Sequence, residues 1–312
     1  MDASKGPRSE GASTPRRTVI VTGSANGIGA QTVRYFHGEG SNVVVADLQS
    51  ARAEADKLIE SLGCSGRAMF VPVDVAKWES VKHLFKAAVA EFGRVDAVIA
   101  NAGVMETQEY FDLETDDTGD LKEPSESYRV IDVNLKGTMN TVRLAMHHMR
   151  SNAPDSIKGG TCGSIVLVAS TSGYFGGTGV VSYVASKHGI VGLLRASQIA
   201  AKRFNVRVNA VAPFVTPTQI TGNYFAKWQE KGLPTNTVED VASAIAATAV
   251  DVEGSGQCYM VVGGQRQELE ARRAQLFDEW LGAPTTKLMG DAGKFFDELG
   301  GYPLPGRGRF SS

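Results

Sequence analysis

Short runs of apolar and β-branched residues alternate with helix-length stretches from residue 18 to residue 264, and this alternation limits the fold more than any other feature of the chain. The runs lie at 19–21, 43–46, 68–73, 95–100, 164–168, 206–211 and 258–262. Uninterrupted apolar runs are typical of strands that are buried on both faces of a parallel sheet. The helical stretches between them lie near 27–39, 50–62, 76–92, 125–151, 182–203 and 238–248. The pattern predicts one α/β domain over 18–264, with a doubly wound parallel sheet of about seven strands flanked by helices.

Composition narrows the class of protein further. The 312 residues are 42% hydrophobic and 21% charged, which suffices for a packed core. A net charge of −2 offers no basic surface for nucleic acid, and no apolar run is long enough to cross a membrane. Cys64, Cys162 and Cys258 have no metal-binding spacing, and neither do the five histidines, so we predict no metal site. With no secretory signal in the sequence, we predict a cytoplasmic protein without nucleic-acid or membrane partners.

The two ends of the chain lie outside this alternation. Residues 1–17 contain no apolar run, and we predict a flexible arm there. Residues 265–312 form a C-terminal extension in which apolar residues recur at helical spacing over 269–281 and cluster again over 288–299. Burying these groups requires a partner surface, so we predict that the extension docks as a lid over 214–228 or crosses a subunit interface. A solvent-exposed tail is the alternative.

A glycine-rich turn follows the first predicted strand and precedes the first predicted helix. Glycine permits the sharp turn, the close approach of a backbone amide to a pyrophosphate and tight packing of the helix on the sheet. The N-terminus of the helix attracts phosphate. An ordinary tight turn is the alternative, but the position between strand and helix is the one that dinucleotide binding requires. The predicted cofactor contacts in this turn are Gly23, Ser24, Asn26, Gly27, Ile28 and Gly29.

Polar and small residues end the next three predicted strands, at the sheet edge where doubly wound proteins bind ligands. Asp47 ends the second strand, and its carboxylate can accept hydrogen bonds from an adenosine ribose while it repels a 2′-phosphate. Neither Asn26 nor Leu48 is basic, so NAD is favoured over NADP, although Arg52 lies nearby. A helix N-cap is the alternative role for Asp47. The other cofactor contacts predicted at this edge are Leu48, Asp74, Val75, Asn101, Ala102 and Gly103.

Tyr183 and Lys187 lie at positions i and i+4 of a predicted helix, on one face and about one turn apart. A nearby cation favours phenolate, so we expect Lys187 to lower the pKa of Tyr183 toward the working range of an acid/base catalyst. Tyr183 could then take a proton from an alcohol or give one to a ketone. Ser170 ends the fifth predicted strand and could hydrogen-bond the same substrate oxygen.

This ordered set of motifs resembles the short-chain dehydrogenase/reductase family, and the resemblance spans roughly residues 18–264. The matching residues are Thr22, Gly23, Gly27, Gly29, Asn101, Ala102, Gly103, Asn134, Ser170, Tyr183, Lys187 and Pro213. The resemblance implies a Rossmann-type domain that binds a nicotinamide dinucleotide. It also implies that Tyr183 is the general acid/base, that Lys187 holds the nicotinamide ribose and that Ser170 orients the substrate oxygen.

Further expectations follow from the same resemblance. Asn134 would hold a water that links Lys187 to solvent, and Asp47 is similar to the residue that marks an NAD-preferring branch. Phe214 stands where the family usually has glycine, and its phenyl group is expected to narrow the pocket. The implied cofactor contacts in this loop are Pro213, Val215 and Thr218, the last of which matches the threonine that bonds the carboxamide.

Oligomer formation is also implied, as a homodimer or homotetramer. Small residues recur along the helix of Tyr183, at Ala185, Gly189, Gly192 and Ala196, and small side chains let another helix approach closely. Packing of this stripe against the chain's own sheet is the alternative.

The segments expected on the substrate side of the site are apolar and aromatic. They predict a small-molecule substrate, namely a bulky hydrophobic secondary alcohol or its ketone. Half of these aromatic side chains could instead belong to the core. The pattern is loosely similar to 15-hydroxyprostaglandin-dehydrogenase-like members and to members that act in natural-product tailoring, which suggests secondary metabolism. The residues are Met105, Tyr174, Phe175, Phe214, Ile220, Tyr224, Phe225 and Trp228.

A second hypothesis stays open beside the oxidoreductase. The same fold can serve as an isomerase, a cyclase or a cofactor-binding regulatory module without net redox chemistry. Phe214 and the loop 105–127, which holds nine carboxylates and one lysine, motivate this hypothesis. Otherwise that loop, like the loop 151–163, is expected to be a solvated connection.

Overall fold

Eight strands form one sheet at the centre of the molecule. The structure, a computed structural model, describes residues 16–63, 66–154 and 160–305. The strands are β1 (Thr18–Thr22), β2 (Asn42–Asp47), β3 (Ala68–Pro72), β4 (Ala97–Ala100), β5 (Gly163–Val168), β6 (Val206–Pro213), β7 (Cys258–Val262) and β8 (Gln265–Glu268). Their order is β3-β2-β1-β4-β5-β6-β7-β8, and every neighbouring pair is parallel except β7 and β8. The predicted doubly wound parallel sheet is confirmed, and β8 adds an antiparallel edge strand.

Helices cover both faces of the sheet. They are α1 (Gly27–Gly38), α2 (Arg52–Ser61), α3 (Trp78–Phe92), α4 (Ser125–Ile131), α5 (Gly137–Met149), α6 (Val181–Ala196), α7 (Gln198–Phe204), α8 (Gly222–Glu230), α9 (Val238–Val250), α10 (Glu270–Gln275), α11 (Phe277–Leu281) and α12 (Ala283–Glu298). The stretch predicted as one helix over 125–151 is interrupted by a π-helical turn at Asp132–Lys136. The stretch predicted over 182–203 breaks at Ser197, and α8 was not predicted.

The core has two layers because alternate residues of each strand point to opposite faces. On β1, Ile20 packs in the layer that also contains Leu84 and Phe85 of α3. Its neighbours Val19 and Val21 pack in the other layer, against side chains of α1 and α9. Burial of both faces explains why the parallel strands are continuous apolar runs. The carboxyl ends of the parallel strands border the cavity described below.

The C-terminal extension forms β8 and three helices. In the single chain the apolar face that was expected to dock on the body is largely exposed: Leu276 and Leu281 are exposed, Trp280 is 69% exposed and Leu288 is 68% exposed. Burial of this face at a subunit interface stays a prediction. The extension is joined to the body by the pairing of β8 with β7 and by Glu270, whose carboxylate pairs with Arg195 of α6. The predicted arm at 1–17 lies outside the described residues except for its last two.

In the described part of the chain, no helix is both long and apolar enough to span a bilayer.

Candidate active site

A cavity of about 1350 Å³ lies at the carboxyl ends of the parallel strands. It is lined by Gly23, Asn26, Gly27, Ile28, Gly29, Asp47, Leu48, Asp74, Val75, Asn101, Ala102, Gly103, Ser170, Tyr183, Lys187, Pro213, Val215 and Thr218. These are all the predicted site residues except Ser24 and Asn134. The structure therefore brings residues from the ends of six strands to one space, which is where a doubly wound sheet binds its ligand.

The glycine turn is shaped by close backbone approaches. Gly23 has a φ of +63°, and a Cβ atom there would lie 2.7 Å from Cα of Ala102. A Cβ atom at Gly29 would lie 2.3 Å from the carbonyl oxygen of Gly23. Asn26, at the N-cap of α1, makes no side-chain capping hydrogen bond, so the first-turn N–H groups face the cavity without that competitor. This turn fits the pyrophosphate of a dinucleotide.

Ser24 does not line the cavity. Its hydroxyl donates to the carbonyl oxygen of Val21 at 2.7 Å and accepts from the N–H of Ala46 at 3.0 Å. The side chain is fully buried, and these bonds tie the end of β1 to β2. Ser24 thus shapes the turn, whereas the sequence had predicted a cofactor contact.

Asp47 is held by two backbone amides. Oδ2 accepts a hydrogen bond from the N–H of Ala25 at 2.9 Å, and Oδ1 accepts one from the N–H of Leu48 at 2.8 Å. Leu48, and not Asp47, occupies the N-cap position of the short 3₁₀ turn that follows, so the alternative role as a helix N-cap is not found. The carboxylate is anchored to the glycine turn while it faces the cavity.

Asn101 and Gly103 lie between the glycine turn and α6, the helix that carries Tyr183 and Lys187. The Asn101 amide donates to the carbonyl oxygens of Thr22, at 2.9 Å, and Gly23, at 2.8 Å. A Cβ atom at Gly103 would lie 3.4 Å from Oδ1 of Asn134 and 3.6 Å from Nζ of Lys187. These two polar groups therefore meet behind Gly103, and a side chain there would press against both.

Asn134 lies in the π-helical turn and is almost fully buried. Its Oδ1 accepts from the N–H of Val104 at 2.8 Å, and its Nδ2 donates to the carbonyl oxygen of Val104 at 2.9 Å and to Oγ of Ser186 at 3.0 Å. Asn134 thus holds the loop after β4 against α6, from a position just behind the cavity wall.

Tyr183 and Lys187 project from α6 toward Ser170 at the end of β5. Nζ of Lys187 lies 5.5 Å from the centre of the Tyr183 ring and donates to the carbonyl oxygen of Val168 at 2.9 Å. A hydrogen bond with the Ser170 side chain favours the charged form of Tyr183. All three residues are more than nine-tenths buried, so the electrostatic interactions between them are little screened by water.

The pKa values of this cluster differ from the expectation of the sequence analysis. Burial raises the pKa of Tyr183 to about 12 and outweighs the opposing hydrogen bond from Ser170. Burial also lowers the pKa of Lys187 to about 8, because the ammonium loses its hydration. The net shift of the Tyr183 pKa is therefore upward, because burial dominates, and not downward as predicted; the chain alone keeps Tyr183 protonated at neutral pH.

The substrate side of the cavity is lined by most of the predicted apolar residues, namely Met105, Phe175, Phe214, Ile220, Tyr224 and Trp228. Phe214 and Trp228 meet edge to face with ring centres 5.5 Å apart. Tyr174 and Phe225 do not line the cavity, and the Tyr174 hydroxyl instead donates to Glu270 at 2.7 Å. Two of the eight predicted residues thus lie outside the cavity, and one of them, Tyr174, packs against the core as the alternative allowed.

The cavity is also lined by charged residues that the sequence analysis did not predict. They are Lys77, Arg129, Asp132 and Lys136. Lys77 pairs with Asp74 at 3.2 Å, and Lys136 pairs with Asp132. Lys77 precedes α3, whereas Arg129, Asp132 and Lys136 lie in or just before the π-helical turn between α4 and α5.

Among the residues that the structure describes, no group of three His, Cys, Asp or Glu side chains is placed to hold a metal ion.

Comparison with known proteins gives the family. A family model described as short chain dehydrogenase matches residues 17–229. The chain belongs to the short-chain dehydrogenase/reductase family. Among curated relatives, it is 32% identical over 295 residues to the short-chain dehydrogenase/reductase prx4 of Penicillium roqueforti, an alignment that covers 87% of this chain and 82% of the relative. It is 33% identical over 261 residues to ascJ of Acremonium egyptiacum, covering 81% of each chain.

A solved structure supports the same assignment. The 3-ketoacyl-(acyl-carrier-protein) reductase of Brucella melitensis, complexed with NADH, aligns with a TM-score of 0.69 and 25% identity, over 80% of this chain and 98% of that one. The human 3-hydroxyacyl-CoA dehydrogenase type-2 is 34% identical over 200 residues, which cover 64% of this chain and 73% of the relative. The chain is thus an oxidoreductase of this family with a nicotinamide cofactor.

Proposed function

We propose that this dehydrogenase transfers a hydride between NAD(H) and a bulky hydrophobic secondary alcohol or ketone, with Tyr183 as the general acid/base. The observation that carries the proposal is the meeting of Ser170, Tyr183 and Lys187 in one cavity with the glycine turn and Asp47. A bound NAD supplies the hydride acceptor for alcohol oxidation, and NADH supplies the donor for ketone reduction.

The residues of the chain divide the remaining work. Ser170 donates a hydrogen bond to the substrate oxygen and holds it beside Tyr183. Tyr183 takes the hydroxyl proton as the alcohol is oxidised, or returns it to the oxygen as the ketone is reduced. Lys187 is the cation that stabilises the phenolate in that step, and Asn134 fixes the loop at Gly103 against which Lys187 lies.

Phe214, Trp228 and Phe175 support the choice of a hydrophobic substrate. Their rings stand on the substrate side of the cavity and offer an apolar surface to a bulky hydrocarbon group. The acidic loop 105–127 does not favour an isomerase or cyclase, because seven of its nine carboxylates face solvent.

The test is turnover with a series of hydrophobic secondary alcohols and their ketones, followed by the absorbance of NADH. We expect NADH to form in step with the ketone. The Tyr183→Phe variant should bind NADH with unchanged affinity and lose at least about a thousandfold in kcat. Tyr128→Phe, at an exposed tyrosine of α4, is the matched control and should keep full activity. Product formation without any net change in NADH would contradict the proposal and favour an isomerase or cyclase.

A further inference from the structure

The catalytic helix α6 begins without a capping residue of its own. Val180 stands at the N-cap position and makes no side-chain capping hydrogen bond. A helix start leaves backbone N–H groups without intrahelical partners, and Ser, Thr, Asp or Asn usually accepts from them. Because Tyr183 is the third residue of this helix, the N–H groups that need a partner include its own.

Glu106, in the loop after β4, supplies the missing acceptor. Its Oε1 accepts from the N–H of Ser182 at 2.9 Å and from the N–H of Tyr183 at 3.3 Å. Its Oε2 accepts from the N–H of Tyr183 at 3.1 Å. A carboxylate that is 76 residues distant in sequence from Ser182 thus caps the turn that carries the catalytic tyrosine.

Glu106 differs from the other acidic residues of its loop. It is 9% exposed, whereas seven of the other eight carboxylates between 105 and 127 are exposed. Burial of a carboxylate is costly unless its oxygens are hydrogen-bonded, and the positive end of the α6 dipole adds a favourable field. The capping bonds therefore compensate a buried charge inside the site and are not a surface contact.

The segment from Asn101 to Glu106 connects three parts of the catalytic machinery. Asn101 is bonded to the glycine turn, Val104 is bonded to Asn134, and Glu106 is bonded to the start of α6. A shift of Glu106 would therefore move the first turn of α6 relative to both the cofactor site and Ser170.

The charge of Glu106 also bears on Tyr183. The groups that face Tyr183 are Lys187 on α6, Ser170 after β5, Tyr224 on α8 and Glu106. Burial raises the pKa of Tyr183, and the negative charges of Tyr224 and Glu106, when present, add to that increase. Lys187 acts in the opposite direction as a cation. Glu106, at the start of α6, and Lys187, one turn further along the helix, therefore have opposite effects on the pKa of Tyr183.

We propose that Glu106 is a positioning residue of this enzyme, whose carboxylate fixes Tyr183 by capping α6 and places a negative charge beside it. The inference rests on the proposed function, in which Tyr183 is the acid/base. It assigns a role to the first carboxylate of the acidic loop, while the remaining ones stay part of a solvated connection.

Three variants separate the cap from the charge. Glu106→Gln keeps an oxygen that can accept from both N–H groups but removes the charge, and Glu106→Ala removes both. Glu126→Gln is the matched control: it removes a carboxylate in the first turn of α4, one that accepts from the N–H and hydroxyl of Thr107 and not from α6. All three are measured in the full chain for the pH dependence of kcat in alcohol oxidation and for hydrogen exchange of the Ser182 and Tyr183 amides.

With Glu106→Gln, the ascending limb of the pH profile should move to lower pH by about half a unit or more, because the phenol loses its proton more readily. With Glu106→Ala, the two amides should exchange at least about tenfold faster and kcat should fall about tenfold, with KM for NAD changed less than about twofold. Glu126→Gln should leave both readouts at wild-type values.

A pH profile of Glu106→Gln that coincides with that of the wild type, or unchanged amide exchange in Glu106→Ala, overturns the proposal. If Glu106→Ala does not fold, Glu106→Gln still decides through its pH profile. A wild-type chain without turnover on any alcohol or ketone would contradict the proposed function instead, and the exchange measurement would still decide whether Glu106 caps α6.

Discussion

Asp47 is the side chain that we expect to decide between NAD and NADP. Its charge faces the cavity while both oxygens are held by backbone amides, so it cannot turn away from a 2′-phosphate without losing those bonds. We predict that kcat/KM favours NAD by tenfold or more, about 1.4 kcal/mol of discrimination. Asp47→Asn keeps the shape and should reduce that preference about tenfold. Asp56→Asn, which removes an exposed carboxylate of α2, should leave it unchanged; equal preference in wild type and Asp47→Asn would contradict the role.

Lys187 is a catalytic group whose buried charge we expect to lower the free energy of unfolding. Burial lowers its pKa to about 8, whereas the unfolded chain holds the same proton up to about 10.5. Between these values the unfolded state binds more protons than the folded state, so the contribution of Lys187 to stability rises with pH across that window.

The corresponding variant is Lys187→Met, which removes the buried charge and keeps the volume. We predict that it raises the free energy of unfolding at pH 7 by about 1 kcal/mol while turnover is lost. Urea unfolding at pH 7 and at pH 10 should show the gap between variant and wild type narrowing as pH rises. A gap that is constant or widens with pH would contradict the burial of a charged lysine.

Site residues that obey local rules or belong to the family motifs were predictable from sequence, whereas Glu106, which acts over a long sequence distance, was not. Gly23 and Gly29 are required by backbone approaches within one turn, and Tyr183 and Lys187 by one helical turn. Glu106 lies 76 residues from the helix that it caps. The only sequence signal for it is an absence, since Val180 provides no cap where a helix begins.

Elements were predictable to the extent that they bury a periodic apolar face. The five inner parallel strands, β1, β2, β4, β5 and β6, bury both faces, which leaves continuous apolar runs. β8 has the polar sequence Gln-Arg-Gln-Glu at the edge of the sheet, and its pairing follows from the left-handed φ of Gly263 and Gly264 in the turn before it. The break at Asp132–Lys136 keeps the apolar spacing of the flanking helices, so one long helix was predicted there.

The contact between α10 and the body depends on Glu270. Oε1 accepts from the Tyr174 hydroxyl at 2.7 Å and from Arg195 at 2.8 Å, and Oε2 accepts from Arg195 at 2.8 Å and Arg273 at 3.1 Å. Burial by itself would raise the pKa of Glu270, but the bonds from Arg195 and Tyr174 outweigh it and lower the pKa below 4.5. Its stabilising contribution is thus complete above about pH 4.5 and is lost as the pH falls through the lower value of the folded state.

Glu270→Ala should therefore lower the free energy of unfolding by about 2 kcal/mol at pH 7, because Tyr174 and Arg195 lose their partner. Since Phe175 of the cavity wall follows Tyr174, we also expect a higher KM for the substrate, with KM for NAD unchanged. Denaturant unfolding and steady-state kinetics measure the two effects. Glu279→Ala, at an exposed carboxylate of α11, is the control, and a loss of stability equal to that of the control would show that Glu270 does not hold the extension.

The assembled molecule presents two surfaces that a second copy could cover. One is formed by α5 and α6, where Met139 is 50% exposed and a Cβ atom at Gly192 would meet nothing within 4 Å. Gly189 of the same stripe is already filled, since a Cβ atom there would lie 2.8 Å from Leu135 of this chain. The other surface is α12, which buries none of its residues and exposes Leu288 and Phe295.

Members of this family are usually oligomeric, and we predict that the α5–α6 surface forms the interface in a dimer or tetramer. Gly192→Arg places a long cation where a second helix must approach closely, so it should convert the oligomer to a smaller species in light scattering after gel filtration. Gly290→Arg makes the same change at an equally open glycine of α12 and should leave the mass unchanged. Arginine has a higher helix propensity than glycine, so neither variant should unfold its helix. If Gly290→Arg dissociates the oligomer and Gly192→Arg does not, the C-terminal extension is the interface.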